Sequence, residues 1–158
     1  MNKRFVVEDI TVLHGDCVRA LKVVKPGCCI VTDPPFTMMT IGDVESMMRT
    51  LDYQASDVLV LTNPLTGYIH RGVVHQFTDG LATSSTEWHR HQRPLDAVTQ
   101  LVALTQGVVV DPYCGSGTTL LAAHSLGRAS VGIELDYDTF LRCCRRIEKS
   151  TGYGGRFL

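Results

Sequence analysis

The sequence predicts an α/β domain built on a mostly parallel, doubly wound sheet. Two observations carry that expectation. Short apolar runs alternate with stretches of helical spacing from Ile10 to Lys149, and the runs end abruptly at acidic, Asn-Pro or glycine-rich turns. Composition agrees: 44% hydrophobic and 20% charged residues match a globular chain and exclude disordered, collagen-like and coiled-coil classes. At 158 residues a single domain is expected, with a real core and little room for appendages.

Ile10 to Leu13 reads as a buried strand ending at Gly15-Asp16, and Cys28 to Val31 as another, cut off by Thr32-Asp33-Pro34-Pro35-Phe36. Between them Cys17 to Val24 has helical spacing, with Val18, Leu21 and Val24 on one face. Val44 to Leu51 suits a helix, and Asp57 to Thr62 a third buried strand stopped by Asn63-Pro64. The Gly-, Thr- and Ser-rich stretch that follows holds one further expected strand, Tyr68 to Phe77. Pro94 suits a first helical turn, and Leu95, Val98, Leu101, Val102 and Leu104 form a stripe leading to a strand at Val108 to Val110. Asp111 to Thr119 is then a strand-to-helix turn, with an Ala- and Leu-rich helix to about Gly127. A strand at Ser130 to Ile133 ends at Glu134-Leu135-Asp136, and Tyr137 to Lys149 closes as an amphipathic helix.

In such sheets ligands sit beyond the carboxyl ends of the strands where the winding reverses. Those ends carry Asp16, Asp33 to Phe36, Asn63-Pro64, Asp111 to Thr119 and Glu134.

A net charge of -1 gives no general affinity for phosphates, so any nucleic-acid contact must be local. Basic residues cluster at Trp88 to Arg93 and at Arg142, Arg145, Arg146 and Lys149. The first sixteen residues hold an acidic pair and no long apolar run, so a cytoplasmic, membrane-free protein is expected. None of the six cysteines forms a Cys-x-x-Cys pair, and reduced, mostly buried thiols are expected. His89 and His91 lack spaced carboxylate or cysteine partners, so no metal is expected.

The Gly115-Ser116-Gly117 turn ahead of a helix lets backbone approach a ligand, and the exposed helix amides favour a carboxylate or phosphate. A dinucleotide fingerprint would need a further glycine where Leu120 stands, and a P-loop would need Gly-Lys-Ser/Thr. Glu134 at the end of the next strand can accept hydrogen bonds from both hydroxyls of a ribose, which with the glycine turn suggests an adenosine-containing cofactor.

Asp33-Pro34-Pro35-Phe36 offers a carboxylate, a backbone locked by two prolines and an aromatic stacking surface. An exocyclic amine is a poor nucleophile because its lone pair is delocalised into the ring. Two acceptors on its hydrogens, Asp33 and the Pro34 carbonyl, would help it pyramidalise, and Phe36 would stack on a base flipped out of a duplex.

Together these segments resemble the amino-methylating DNA methyltransferases in their permuted (beta-class) arrangement, where the catalytic motif precedes the cofactor motif. Asp111-Pro-Tyr-Cys-Gly-Ser-Gly-Thr-Thr119 is similar to the family's Asp-Pro-Phe-Cys-Gly-Ser-Gly-Thr-Thr, and Gly132-Ile-Glu-Leu-Asp136 to its Gly-Ile-Glu-Ile-Asp. His89-Arg-His-Gln-Arg-Pro94 resembles its His-Pro-Thr-Gln-Lys-Pro, and Gly15-Asp16-Cys17 its opening Gly-Asp-Cys.

The resemblance implies a Rossmann-like S-adenosylmethionine-dependent methyltransferase fold with circularly permuted motif order. Residues 1–64 would form the catalytic-motif half, 65–90 a variable segment and 91–158 the cofactor-binding half. It further implies that Asp16 contacts the cofactor adenine and Glu134 the ribose, and that Asp111, Cys114, Gly115, Ser116 and Gly117 surround the methionine moiety. Pro112, Tyr113, Thr118, Thr119, Leu135, Arg93 and Asp33 complete the cofactor set, while Asp33, Pro34, Pro35 and Phe36 hold the target amine. An opening Asp favours adenine N6, with cytosine N4 second.

Two departures stand out: Phe36 replaces the family's more usual Tyr, and only 51 residues separate Phe36 from Trp88, too few for a separate target-recognition domain. Sequence readout is then limited to a few bases or comes from a homodimer or a recognition partner. The alternatives are methylation of RNA, less favoured than DNA, or of a protein amide, and a catalytically silent nucleic-acid-binding module.

Overall fold

A computed structural model describes residues 3–35, 39–40, 42–43, 55–62, 66–77, 88 and 92–158. Phe36, the helix expected at Val44 to Leu51, the Asn63-Pro64 stop and half of the variable segment lie outside the described residues.

The described strands are β1 (Arg4–Val7), β2 (Ile10–His14), β3 (Cys29–Thr32), β4 (Asp57–Leu61), β5 (Gly67–His70), β6 (Val73–Gln76), β7 (Val109–Asp111), β8 (Ser130–Glu134) and β9 (Arg156–Phe157). They form one sheet in the order β6-β5-β4-β3-β7-β8-β2-β1-β9. The inner strands β4, β3, β7, β8 and β2 are mutually parallel, and both margins are antiparallel. The helices described in full are α1 (Cys17–Ala20, continued by a 3-10 turn at Leu21–Val23), α2 (Leu95–Ala103), α3 (Thr118–Ser125) and α4 (Tyr137–Thr151).

From β3 the chain steps outward to β4, then returns to lay β7 on the other side of β3, in register Cys29 to Val109 and Ile30 to Val110. The winding reverses between β3 and β7. Their carboxyl ends, at Thr32 and Asp111, are therefore neighbours although 79 residues separate them.

Alternation along the inner strands sorts their side chains between two layers. Cys29, Val31, Leu59, Leu61 and Val109 pack with Val98, Leu101 and Val102 of α2 and Ala122 and Ala123 of α3. Ile30, Val110 and Ile133 turn the other way, toward Ala20 and Leu21. Phe140, Cys143 and Ile147 of α4 cover Phe5, Val7, Ile10 and Val12 of β1 and β2. α4 is bounded by its own sequence: Asp136 caps its start by accepting from Thr139 N at 2.8 Å, and Gly152, at φ 76°, ends it.

One expectation needs correction, and two strands were not expected. The single strand expected at Tyr68 to Phe77 is a hairpin, β5 and β6, joined by Arg71 and Gly72 with φ of 52° and 77°. Two left-handed residues make a primed turn that suits strand twist, and the apolar alternation simply continues across it. The unexpected strands are the margin strands β1 and β9, too short to signal: four residues before the turn at Glu8, and two near the end of the chain.

Gly132 of β8 lies against the glycine loop: a Cβ there would come 2.6 Å from Leu120 Cδ1 and 2.8 Å from Cys114 Cβ. Gly132→Ala must displace the strand or the loop, an overpacking cost of roughly 1–3 kcal/mol. A melting temperature lowered by about 2 °C or more in thermal unfolding is the expected result.

Candidate active site

Asp111 closes β7 and is buried. Its Oδ1 accepts from Thr32 Oγ1 at 2.7 Å and from Tyr113 N at 3.0 Å. Burial pushes its carboxyl up to about 6, against the opposing hydrogen bonds of Thr119, Thr32 and the Tyr113 amide; the nearby Asp33 charge adds to the rise. This carboxylate therefore gains from any cation brought against it.

The loop beyond Asp111 turns on Gly115 and Gly117, with φ of 51° and 85°. A Cβ on Gly117 would strike Cys143 Sγ at 2.7 Å, whereas one on Gly115 would meet nothing within 4 Å. One glycine thus permits packing on α4, and the other leaves backbone open to a ligand. Gly117 caps α3 without a side-chain hydrogen bond, so the first-turn amides have no side-chain acceptor from the cap.

Pro112, Cys114, Ser116, Thr118 and Thr119 are buried. The Cys114 thiol lies in the core beside Cys143, whose contact, together with burial, raises it well above the ordinary thiol range. Cys114 offers the loop its backbone: its N–H donates to Ile133 O at 3.0 Å and its carbonyl accepts from Gly117 N at 2.7 Å.

Tyr113 is half-buried and donates to Met39 Sδ at 3.3 Å; it also contacts Cys17, and burial pushes its phenol upward. The glycine loop, the start of α1 and the chain just beyond Pro35 converge on this ring.

Glu134 ends β8 with each oxygen set by one amide: Gly115 N donates to Oε2 at 3.1 Å and Asp136 N to Oε1 at 2.8 Å. Burial raises its carboxyl despite those bonds. Both oxygens keep further lone pairs for hydroxyl donors. Exposed Leu135 follows, its carbonyl accepting from His14 Nε2 at 3.1 Å. Gly15 N donates to Glu134 O at 2.9 Å, which brings the next residue, Asp16, to the same rim. Asp16 is exposed and caps α1 by accepting from Arg19 N at 3.2 Å.

Asp33 follows β3, with Pro34 buried and Pro35 exposed. Arg93 grips it with both arms of the guanidinium, Nε on Oδ2 at 2.5 Å and Nη2 on Oδ1 at 3.0 Å. The structure thus brings the described candidate residues to one end of the sheet, but places Arg93 on Asp33. Phe36 lies outside the described residues.

Two residues that order the candidate site escaped the sequence reading. Thr32 links the two central strand ends, although the sequence offers it only as the start of the Thr32-Asp33-Pro34-Pro35-Phe36 stop after a strand. Buried Arg146 donates through Nη1 to Ser116 O at 3.2 Å, Ser116 Oγ at 2.9 Å and Thr118 Oγ1 at 2.8 Å, bracing the glycine loop from α4. Its signal was available: an arginine three residues after Cys143 falls on the apolar stripe of an amphipathic helix.

The sequence profile of the N6/N4 methyltransferase family, described as DNA methylase, matches residues 75–140. The Type II methyltransferase M.ScaI of Streptomyces caespitosus is 42% identical over 76 residues, covering 45% of this chain and 25% of that protein. The chain thus spans about a quarter of that relative's length. Among solved structures, the M1.HpyAVI-SAM complex aligns with a TM-score of 0.61 and 19% identity, over 87% of this chain and 99% of that chain. The cytosine-N4-specific PvuII DNA methyltransferase aligns with a TM-score of 0.68 and 12% identity, over 93% and 92%. These likenesses establish the fold, the Rossmann-like α/β fold of these methyltransferases.

Proposed function

We propose that this chain is the catalytic domain of an S-adenosylmethionine-dependent DNA methyltransferase, with its motifs in permuted order, acting on an exocyclic base amine: adenine N6 first, cytosine N4 second. The observation that carries the proposal is the meeting of the Asp33 strand end with the Asp111 strand end across the Thr32–Asp111 hydrogen bond. An amine held at one would face a methyl donor held at the other.

The residues present fit S-adenosylmethionine. Asp111 suits its ammonium group, the first-turn amides of α3 its carboxylate, the open side of Gly115 its close approach, Glu134 its ribose hydroxyls and Asp16 its adenine. When bound, the cofactor supplies a methyl group on a positively charged sulfonium. Asp33 and the Pro34 carbonyl then accept the two hydrogens of the target amine, freeing the nitrogen lone pair. The Pro35 carbonyl already accepts from Met39 N at 3.2 Å, which leaves this role to Pro34.

DNA as partner is supported by a local basic face. Lys149 stands over the Trp88 ring at 5.4 Å, and Arg142 and Arg145 are exposed on the same helix. No described helix is long and apolar enough to cross a membrane.

Glu134→Ala removes both ribose acceptors and is expected to weaken S-adenosylhomocysteine binding by about 10- to 100-fold in calorimetry, with a smaller change in kcat at saturating cofactor. The function itself is tested by offering labelled S-adenosylmethionine with unmodified DNA, RNA or soluble protein. Label in DNA is the expected result. Label in RNA or protein alone, or cofactor binding without transfer, would replace the reading with one of the other acceptors or with a silent module.

A further inference from the structure

We propose that Arg93 masks Asp33 until the carboxylate end of the methyl donor takes over the guanidinium, so that the donor binds before the base amine. The inference rests on the methyltransferase reading and adds to it an order of binding and the residue that imposes it.

Both Asp33 oxygens are engaged by a two-pronged guanidinium, at 2.5 and 3.0 Å, and each side chain is only 22% exposed. This planar fork is the strongest geometry open to a carboxylate and arginine, and partial burial limits its screening. Its aim is set by rigid backbone. Pro94 restricts Arg93 to extended conformations, is itself buried, and accepts from Val98 N at 3.2 Å in the first turn of α2.

The closed fork is a resting arrangement and not a reacting one, because of its charge. During transfer the amine lone pair forms the new bond to the methyl carbon, the electron pair of the broken carbon–sulfur bond stays on sulfur, and the positive charge passes to the nitrogen until water takes its surplus proton. A guanidinium on the same carboxylate would cancel the charge that stabilises this nitrogen. The fork must therefore open.

What opens it is an anion with two oxygens in a plane. Asp33 follows Thr32, whose hydroxyl reaches Asp111 at 2.7 Å, so Arg93 stands beside the proposed seat of the donor's amino-acid end. The arriving carboxylate offers the guanidinium the same fork that Asp33 does, shared with the α3 amides. Asp33 is released as the donor becomes seated.

A double-mutant cycle on ligand affinity tests this without any acceptor. With Arg93 present, Asp33→Asn is expected to tighten S-adenosylhomocysteine two- to fivefold, roughly the strength of a partly exposed ion pair. In an Arg93→Ala background the same change should have no effect. Methylthioadenosine, which lacks the amino-acid end, should bind alike in all four proteins. Arg93→Ala alone should weaken S-adenosylhomocysteine about tenfold, and Arg93→Lys, which keeps the charge without the fork, should fall between, as expected of a single-point cation. Equal effects of Asp33→Asn in both backgrounds would overturn the gate, as would coupling seen equally with methylthioadenosine. Coupling seen with inorganic phosphate instead of S-adenosylhomocysteine would assign the opening to a phosphate and overturn the donor-first order. Failure of the wild type to bind either nucleoside would overturn the methyltransferase reading and the gate with it, a result distinct from binding without coupling.

Discussion

Asp33→Ala is expected to reduce methyl transfer by roughly a thousandfold or more while leaving cofactor affinity undiminished. The asymmetry follows from place. Asp33 lies beyond β3 and its carboxylate faces Arg93, whereas the groups proposed for the cofactor follow β7 and β8 and start α1. In the proposed role the carboxylate would accept a hydrogen from the amine and stabilise the positive charge that appears on nitrogen, both of which matter only in the transition state. Its loss should therefore lower kcat with little change in the KM for the cofactor. Asp33→Asn should retain part of the activity, because an amide oxygen still accepts the hydrogen but brings no charge. Single-turnover kinetics beside calorimetric titration of S-adenosylhomocysteine check both halves. Equal loss of affinity and rate would assign Asp33 to the cofactor instead.

Asp111→Asn is expected to stabilise the fold and to weaken cofactor binding. Burial holds the Asp111 carboxyl at about 6 instead of 3.8, so the folded chain favours its neutral form. That contribution to stability is fully present below 3.8 and is lost as pH rises through about 6, where the ionised group costs roughly 3 kcal/mol. Asparagine keeps the oxygen for Thr32 and Tyr113 and carries no charge. The stability advantage of the variant should be small near pH 4 and should grow toward pH 8, as read by urea unfolding at several pH values. Cofactor affinity should move the other way. In the wild type it should rise with pH through about 6, as the carboxylate becomes able to meet the cofactor's ammonium. In the variant that rise should vanish, leaving binding weaker by about 10- to 100-fold near pH 8. A pH-independent wild-type affinity would remove Asp111 from the cofactor contacts.

Much of this arrangement was legible because strand ends are punctuated. Asp33-Pro34-Pro35, Asp111-Pro112 and Glu134 each stop an apolar run, and a parallel sheet then gathers such stops at one edge. The adjacency of β3 and β7 follows from winding order, which the proposed order of a catalytic segment before a cofactor segment suggests. What stayed hidden was pairwise side-chain geometry. Periodicity cannot say that Arg93 turns toward Asp33 across 60 residues, that the Cys114 thiol points away from the loop into Cys143, or that Arg146 reaches Ser116. The β5–β6 hairpin was missed for a different reason, since Arg71-Gly72 lacks the Asn-Gly or Asp-Gly pair that usually signals such a turn.

The most direct test of the central claim is nucleoside mass spectrometry of unmodified DNA incubated with S-adenosylmethionine and either the wild-type chain or Asp33→Ala. The account predicts N6-methyladenine from the wild type and none from the variant. N4-methylcytosine would keep the site and change the base, whereas the same methylated product from both proteins would contradict the account.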